Sequence, residues 1–214
     1  MFKLSKTSKL GTYSWSLQAL KTCPGSLEPD GTLVDACKGC YATTGFYFMP
    51  DAIALRQANQ DDWKRNEWVS DMVGALKKQS HFRWFDSGDV YALPLAEKIF
   101  EVMLATPNVK HWLPTRMAKF AKFADVIQRM QALPNVMVRF SSDSINGVYT
   151  KGVHGSVICH DADSVPEGTK LCEAYSNGGK CGDCRACYSK EIAVIAYPAH
   201  GKKMHKVIKL SVTA

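Results

Sequence analysis

Of the eight cysteines in this chain of 214 residues, seven fall in two short stretches. In "TCPGSLEPDGTLVDACKGCYATTG" thirteen residues separate Cys23 from the pair Cys37 and Cys40. In "CEAYSNGGKCGDCRACY" Cys172, Cys181, Cys184 and Cys187 crowd into sixteen positions. A thiolate is a soft metal ligand, and two residues between cysteines let both sulfurs face one ion or cluster. Three cysteines in C-x2-C-x2-C sit awkwardly on one tetrahedral ion, because structural zinc sites usually pair two well-separated knuckles. They suit a cubane [4Fe–4S] cluster, whose separate iron corners each take one thiolate. Gly178, Gly179 and Gly182 supply the tight turns. The leading reading of the second group is iron–sulfur, with zinc and uncoordinated thiols as rivals. Cys23, Cys37 and Cys40 read as metal ligands of either kind. Seven thiols would serve two clusters, one with four ligands and one with three and an open iron corner. They would equally serve one cluster drawing on both stretches. Cys159, in "SVICHD", reads as a buried core thiol, and its neighbour His160 as a surface or hydrogen-bonded side chain.

Three further stretches offer groups for a small anionic or zwitterionic ligand. "FDSGDVY" holds Asp86, Ser87, Gly88 and Asp89; "LPTRM" holds Thr115 and Arg116; "VRFSSDS" holds Arg139, Ser141, Ser142, Asp143 and Ser144. A glycine lets backbone approach a ligand, a carboxylate takes an amine, and a guanidinium grips carboxylate or phosphate by its fork. The competing reading is structural: the aspartates cap helices and pair with the arginines. The succession of three such ends favours a pocket for a small molecule.

These groups must be positioned by strands and helices that alternate. "TYSWSLQAL" has the period of a half-buried strand. Residues 50–78 read as a helix, broken at most once, with Ile53, Leu55, Trp63, Trp68, Met72, Val73 and Leu76 on its apolar face. "HFRWFDSGDV" predicts a strand ending in a glycine turn, and "LPLAEKIFEVMLATP" a helix stopped near Pro107. "VKHWLPTR" is a strand, "MAKFAKFADVIQRMQALP" an amphipathic helix, and "NVMVRFSSDS" and "GSVICHD" are strands. "EIAVIAYPAHGKKMHKVIKLSV" predicts two closing strands about a glycine-containing turn. Strand–helix–strand alternation implies parallel pairing through right-handed crossovers. About six strands give a partial (βα)6 TIM-like barrel or a small doubly wound sheet. In either, ligand groups collect at the carboxyl ends of the strands, where the Cys-rich loops fall. The chain reads as one domain over residues 1–214.

The net charge of +7 lies at the two ends. Residues 1–22 and 200–214 each hold four lysines and no acid, while residues 23–199 hold 19 basic and 20 acidic side chains. Such ends serve either as solvated edges or as a basic patch for weak nucleic-acid binding. The sequence has no long apolar run for a membrane span and no apolar leader, so the expected compartment is the cytoplasm, where thiols stay reduced. No Ser-His-Asp arrangement, phosphate-binding glycine loop or zinc-protease histidine pair is present.

Cysteines after strand one, a glycine-acidic turn after strand two and polar ends on strands three and four resemble the radical S-adenosylmethionine barrel. That resemblance implies a [4Fe–4S] cluster on Cys23, Cys37 and Cys40 whose free iron chelates S-adenosylmethionine. It implies an amine contact at "SGDV", residues 87–90, and a carboxylate contact at Arg139 or Ser141. "CKGCYATTG", "FRWFDSGDVY", "HWLPTRM" and the closing Cys cluster are, more specifically, similar to a bacteriophage-encoded family described as gene product 88. The expectation is an iron–sulfur protein, radical or redox in chemistry, with a metal-stapled nucleic-acid-binding or scaffold protein as the rival.

Overall fold

Short apolar or alternating runs build the strands: β1 (Ser5–Lys6), β2 (Tyr13–Trp15), β3 (His81–Trp84), β4 (Lys110–Thr115), β5 (Val136–Ser141), β6 (Gly155–Cys159), β7 (Lys170–Leu171) and β8 (Val194–Pro198). They belong to a computed structural model that describes residues 3–212. All eight lie in one sheet, ordered β1-β2-β3-β4-β5-β6-β8-β7. β1 runs antiparallel to β2, and every other pairing is parallel.

Parallel neighbours need crossover connections, and helices supply the first ones. α1 (Asp35–Lys38), α2 (Pro50–Asp62) and α3 (Trp68–Leu76) lie between β2 and β3; α4 (Leu93–Ala105) joins β3 to β4, and α5 (Ala124–Ala132) joins β4 to β5. After β5 the alternation stops. Residues 142–154 contain no helix, and residues 160–193 contain only β7 and a single 3-10 turn at Ala186–Tyr188. These stretches are rich in Gly, Ser, Asp and Cys and lack an apolar stripe of helical period, so no helix face exists to bury.

The parallel register sorts side chains onto two faces. Phe82, Trp84, Leu113, Val136 and Val138 share one face and form a single core with Trp68, Met72 and Leu76 of α3, Ile99 and Met103 of α4, and Val126 and Met130 of α5. Trp15 meets the rings of Trp68 and Phe85 edge-on, at 5.3 and 5.7 Å between centroids. Each large side chain buried this way contributes roughly 1.5–3 kcal/mol. The opposite face is of another character. Arg83, Trp112 and Met137 are successive partners across it, as are Pro114 and Arg139, then Ser141 and Ser156. Here Trp112 and Met137 pack on Leu10 and Tyr188, beside Cys181 and Cys187.

Four local expectations change. Residues 50–78 break once, as anticipated, but α2 turns Ala52, Arg56 and Asn59 inward and leaves Ile53 exposed. Its inner face satisfies backbone: Asn59 donates to the carbonyls of Lys3 and Ser16, both at 3.1 Å, and accepts from the Lys3 amide. "MAKFAKF" forms two single 3-10 turns, and the helix begins only at Ala124. The closing segment is strand then helix, not two strands: α6 (Lys202–Val212) follows β8. Gly201, at φ +83°, turns the chain out of the strand. Met204, Val207 and Ile208 then fall on one helical stripe that packs on Ala36 and Ile145. The β-branched Val and Ile favour a strand locally, and the 3.6-residue spacing overrides them. The fourth change is the count of strands, eight instead of six, because β1 and β7 are two-residue pairings at the edges.

Candidate cysteine-lined site

A cavity of about 390 Å³ opens where β3, β4, β5, β6 and β8 end. Its wall includes six of the seven clustered cysteines, Cys23, Cys37, Cys40, Cys172, Cys181 and Cys187, together with Ser87, Gly88, Asp89, Thr115, Arg116 and Ser141. Among the described residues, Leu20 at φ 65° and Phe85 at φ 55° are the non-glycine residues in left-handed backbone, and both line this cavity. Such conformations cost energy and collect at functional sites.

The loop bearing the first thiols is pinned to the ends of β4 and β5. Lys119 donates to the Gly25 carbonyl at 2.9 Å, and the Ala36 amide donates to the Asp143 carbonyl at 2.9 Å. A Cβ on Gly25 would stand 2.7 Å from the Arg116 Cβ, so only glycine fits there. A Cβ on Gly39 would likewise meet the Met204 backbone at 2.7 Å, which lets α6 close over the Cys37–Cys40 turn. The Cys23 segment is stitched to the turn after β3: the Ser87 hydroxyl donates to the Leu17 carbonyl at 2.7 Å, and the Asp89 amide to that of Thr22 at 3.1 Å. The three thiols lie within electrostatic reach of one another. Burial, reinforced by the Asp89 charge, pushes Cys23 up to about 12. Burial raises Cys37 and Cys40 as well, opposed by the positive charge of Arg116, and at Cys40 also by Lys203 of α6.

The second group is held from the other side. The Cys172 amide donates to the Ala196 carbonyl of β8 and the Cys181 amide to the Lys9 carbonyl, both at 2.8 Å. Cys172 lies within electrostatic reach of Cys181 and of Cys187. Cys187 Sγ is 3.3 Å from the Tyr197 hydroxyl, and burial raises this thiol to about 11. Cys184 is exposed and is not part of the cavity wall. None of the eight cysteines is in a disulfide. Among the described residues, no three His, Cys, Asp or Glu side chains surround a single point as the ligands of one ion do. Cys159 is buried, and His160 hydrogen-bonds Asn146 at 2.8 Å.

The anticipated ligand contacts divide. Asp89 is fully engaged by the protein: Oδ1 accepts from the Val90 amide and the Thr115 hydroxyl, each at 2.7 Å, and Oδ2 from the Arg116 amide at 2.9 Å. Burial pushes its carboxyl upward, against those hydrogen bonds. Gly88, at φ +79°, packs so closely on Leu17 and Thr22 that a Cβ would come within 2.7 Å of each. Arg116 points into a pair with Asp143 at 3.1 Å and donates to the Ser142 carbonyl. Arg139 is not part of the cavity wall. Its guanidinium is fully buried and donates to the carbonyls of Ala186, Cys187, Ser189, Ala193 and Gly155, with no carboxylate beside it. Ser141 stays on the wall.

Residues the sequence did not single out complete the wall. Arg83 pairs with Asp86 at 2.7 Å and lies over the Trp112 ring at 4.6 Å. Tyr41 donates to the Asp86 carbonyl and Tyr47 to its carboxylate. Tyr175 stacks on His200 at 4.3 Å. The alternation of "HFRW" puts Arg83 opposite the core residues Phe82 and Trp84, a signal that was present; nothing local marks the tyrosines.

Fold and site together define a mixed α/β protein with a mostly parallel sheet, whose two cysteine groups meet around one cavity at the strand ends. The chain belongs to the gene product 88 (GP88) family, whose model matches residues 2–201, both cysteine groups included. No curated protein and no solved structure matches it. The family match carries nothing about the radical S-adenosylmethionine resemblance.

Proposed function

We propose that the chain is an iron–sulfur protein carrying a [4Fe–4S] cluster on Cys23, Cys37 and Cys40, and that it acts on a small molecule in the adjoining cavity as a radical S-adenosylmethionine-like or redox enzyme. The carrying observation is that three free thiols, with thirteen and two residues between them, reach the wall of one cavity beside polar strand ends. The donor set is all sulfur, which suits iron–sulfur chemistry, and a cube spreads its thiolates wider than a single ion does. Three thiols leave one corner without a protein ligand. When bound, such a cluster supplies single electrons and an open iron for an amine and carboxylate.

The chain's own residues have defined parts. Arg116 and Lys203 offset the negative charge gathered at Cys37 and Cys40. Asp89 braces the ends of β3 and β4 against each other and is spent on that bracing. The other cations on the wall are Arg83, which already pairs with Asp86, and Lys9, which donates to the Tyr175 hydroxyl; Ser141 remains as a hydroxyl contact. Six neighbouring parallel strands, β2, β3, β4, β5, β6 and β8, are the support for a partial (βα)6 barrel, with helices following only β2, β3, β4 and β8. A bacteriophage origin, implied by the family resemblance, puts the action in the host cytoplasm. No described helix is long and apolar enough to cross a membrane.

The test is spin resonance on the reduced, anaerobically purified chain, with and without S-adenosylmethionine. A cubane signal that S-adenosylmethionine shifts, and that Cys23→Ala/Cys37→Ala/Cys40→Ala loses, is expected. A signal that S-adenosylmethionine leaves unchanged removes the cofactor, and zinc in place of iron removes the cluster. The second reading, nucleic-acid binding on a metal-stapled scaffold, draws on α6, which exposes Lys202, Lys203 and Lys206. It requires salt-dependent affinity that falls when those three are neutralised together.

A further inference from the structure

We infer that Cys172, Cys181, Cys184 and Cys187 hold a second [4Fe–4S] cluster of their own, closed by four protein thiolates, with Arg139 and Arg83 as its built-in counter-charges. The inference takes its kind of metal from the iron–sulfur reading and does not depend on the first three thiols.

Separate anchoring is the first support. Cys172 hangs from β8 and Cys181 from the Lys9 carbonyl, whereas the Cys23–Cys40 loop rests on the ends of β4 and β5 and on α6. The second support is charge. Arg139 is completely buried, and every donor contact it makes is to a carbonyl, three of them on Ala186, Cys187 and Ser189. A buried cation without an anion is strongly disfavoured, and a cube with four thiolates is an anion. Arg83, which also pairs with Asp86 at 2.7 Å, lies within electrostatic reach of Cys187. The third is a pair of orphaned donors. Arg83 Nε and Trp112 Nε1 are buried without any hydrogen-bond partner, on side chains stacked at 4.6 Å. Trp112 belongs to the apolar cluster against which Cys181 and Cys187 pack. Cluster sulfurs accept such N–H groups, which raise the reduction potential. Trp15 Nε1 and Trp68 Nε1 lack partners in the apolar core as well, so what sets the Arg83 and Trp112 donors apart is their place beside the apolar cluster that Cys181 and Cys187 pack on. Four thiolates match four iron corners, so this centre has no place for a substrate.

The experiment is anaerobic loading of the full chain with iron and sulfide, followed by metal analysis and redox titration. The Cys23→Ala/Cys37→Ala/Cys40→Ala variant is expected to keep about four irons and four sulfides, half the wild-type content. Cys184→Ala removes an exposed ligand without disturbing packing, and it is expected to lose that half or convert it to a three-iron signal. Arg139→Met is expected to shift the remaining potential downward; should it not fold, Arg83→Met gives the same shift. A triple variant without iron, zinc in its place, or a Cys184→Ala variant with wild-type iron overturns the inference. Unchanged potentials in both arginine variants overturn the counter-charge. If wild type holds about four irons and the triple variant keeps them all, this centre stands and the first one falls. If the triple variant loses them all, the first centre stands and this one falls.

Discussion

The two faces of the sheet are built from the same strands on different terms. Toward α3, α4 and α5 the strands present Phe82, Trp84, Leu113 and Val138, all buried against other apolar groups. Toward the cysteine loops they present Arg83, Trp112, Arg139 and Ser141, with two donors unpartnered and one buried cation without a carboxylate. The first face is packed by apolar protein groups throughout, although the indole N–H groups of Trp15 and Trp68 lack partners there. The second carries the charge and the open donors on which the cluster proposal rests. Burial supplies the stability of one half, and binding is the role we propose for the other.

That contrast breaks if truncation in the apolar half is cheap. Trp84→Ala is expected to lose about 3–5 kcal/mol of unfolding free energy in a denaturant titration, since the cavity left behind cannot close. Acid probes the same half. Trp84 Nε1 donates to His111 Nδ1 at 3.3 Å, while Nε2 and the Thr106 hydroxyl are 2.9 Å apart; that hydroxyl donates onward to Val102, so His111 is held neutral. Burial lowers its pKa from 6.5 to about 4. The unfolded chain therefore takes up the proton first. Stability from this group is whole above about pH 6.5 and falls by about 3 kcal/mol as pH drops to about 4. Titration of His111 by NMR near 6.5 in the folded chain would contradict this.

The contrast sharpens at the boundary between the halves. Gly88→Ala forces a side chain into left-handed backbone against Leu17 and Thr22, at an expected cost of about 1–3 kcal/mol, and it displaces Cys23 with the segment it braces. Loss of stability together with loss of metal is the expected result; stability loss with full metal content would separate the turn from the site. The smallest effect belongs to the surface. Arg129 pairs with Glu97 and Asp125 in the open, and Arg129→Ala should leave the melting temperature indistinguishable from wild type.

The apolar half was legible in the sequence because period carries the information: "LPLAEKIFEVMLATP" and "NVMVRF" became α4 and β5 close to where their patterns place them. α2 departs from its pattern at Ile53 because its inward face is Arg56 and Asn59, whose burial depends on partners 31 to 56 residues away. α6 is hidden because Val and Ile read as strand formers until Met204 is seen to share their stripe. The cysteines stood out by type and spacing, and six of the seven clustered ones line the cavity. The site's other half was not legible: Arg139 has the look of a ligand grip and serves the loop behind Cys187, because a strand residue's face is set by register with partners distant in sequence.

Iron, acid-labile sulfide and zinc per chain, measured on protein purified without oxygen, test the account most directly. Iron and sulfide in equal amounts, with zinc absent, are predicted. A colourless chain that is metal-free or filled with zinc, and fully folded, would contradict it.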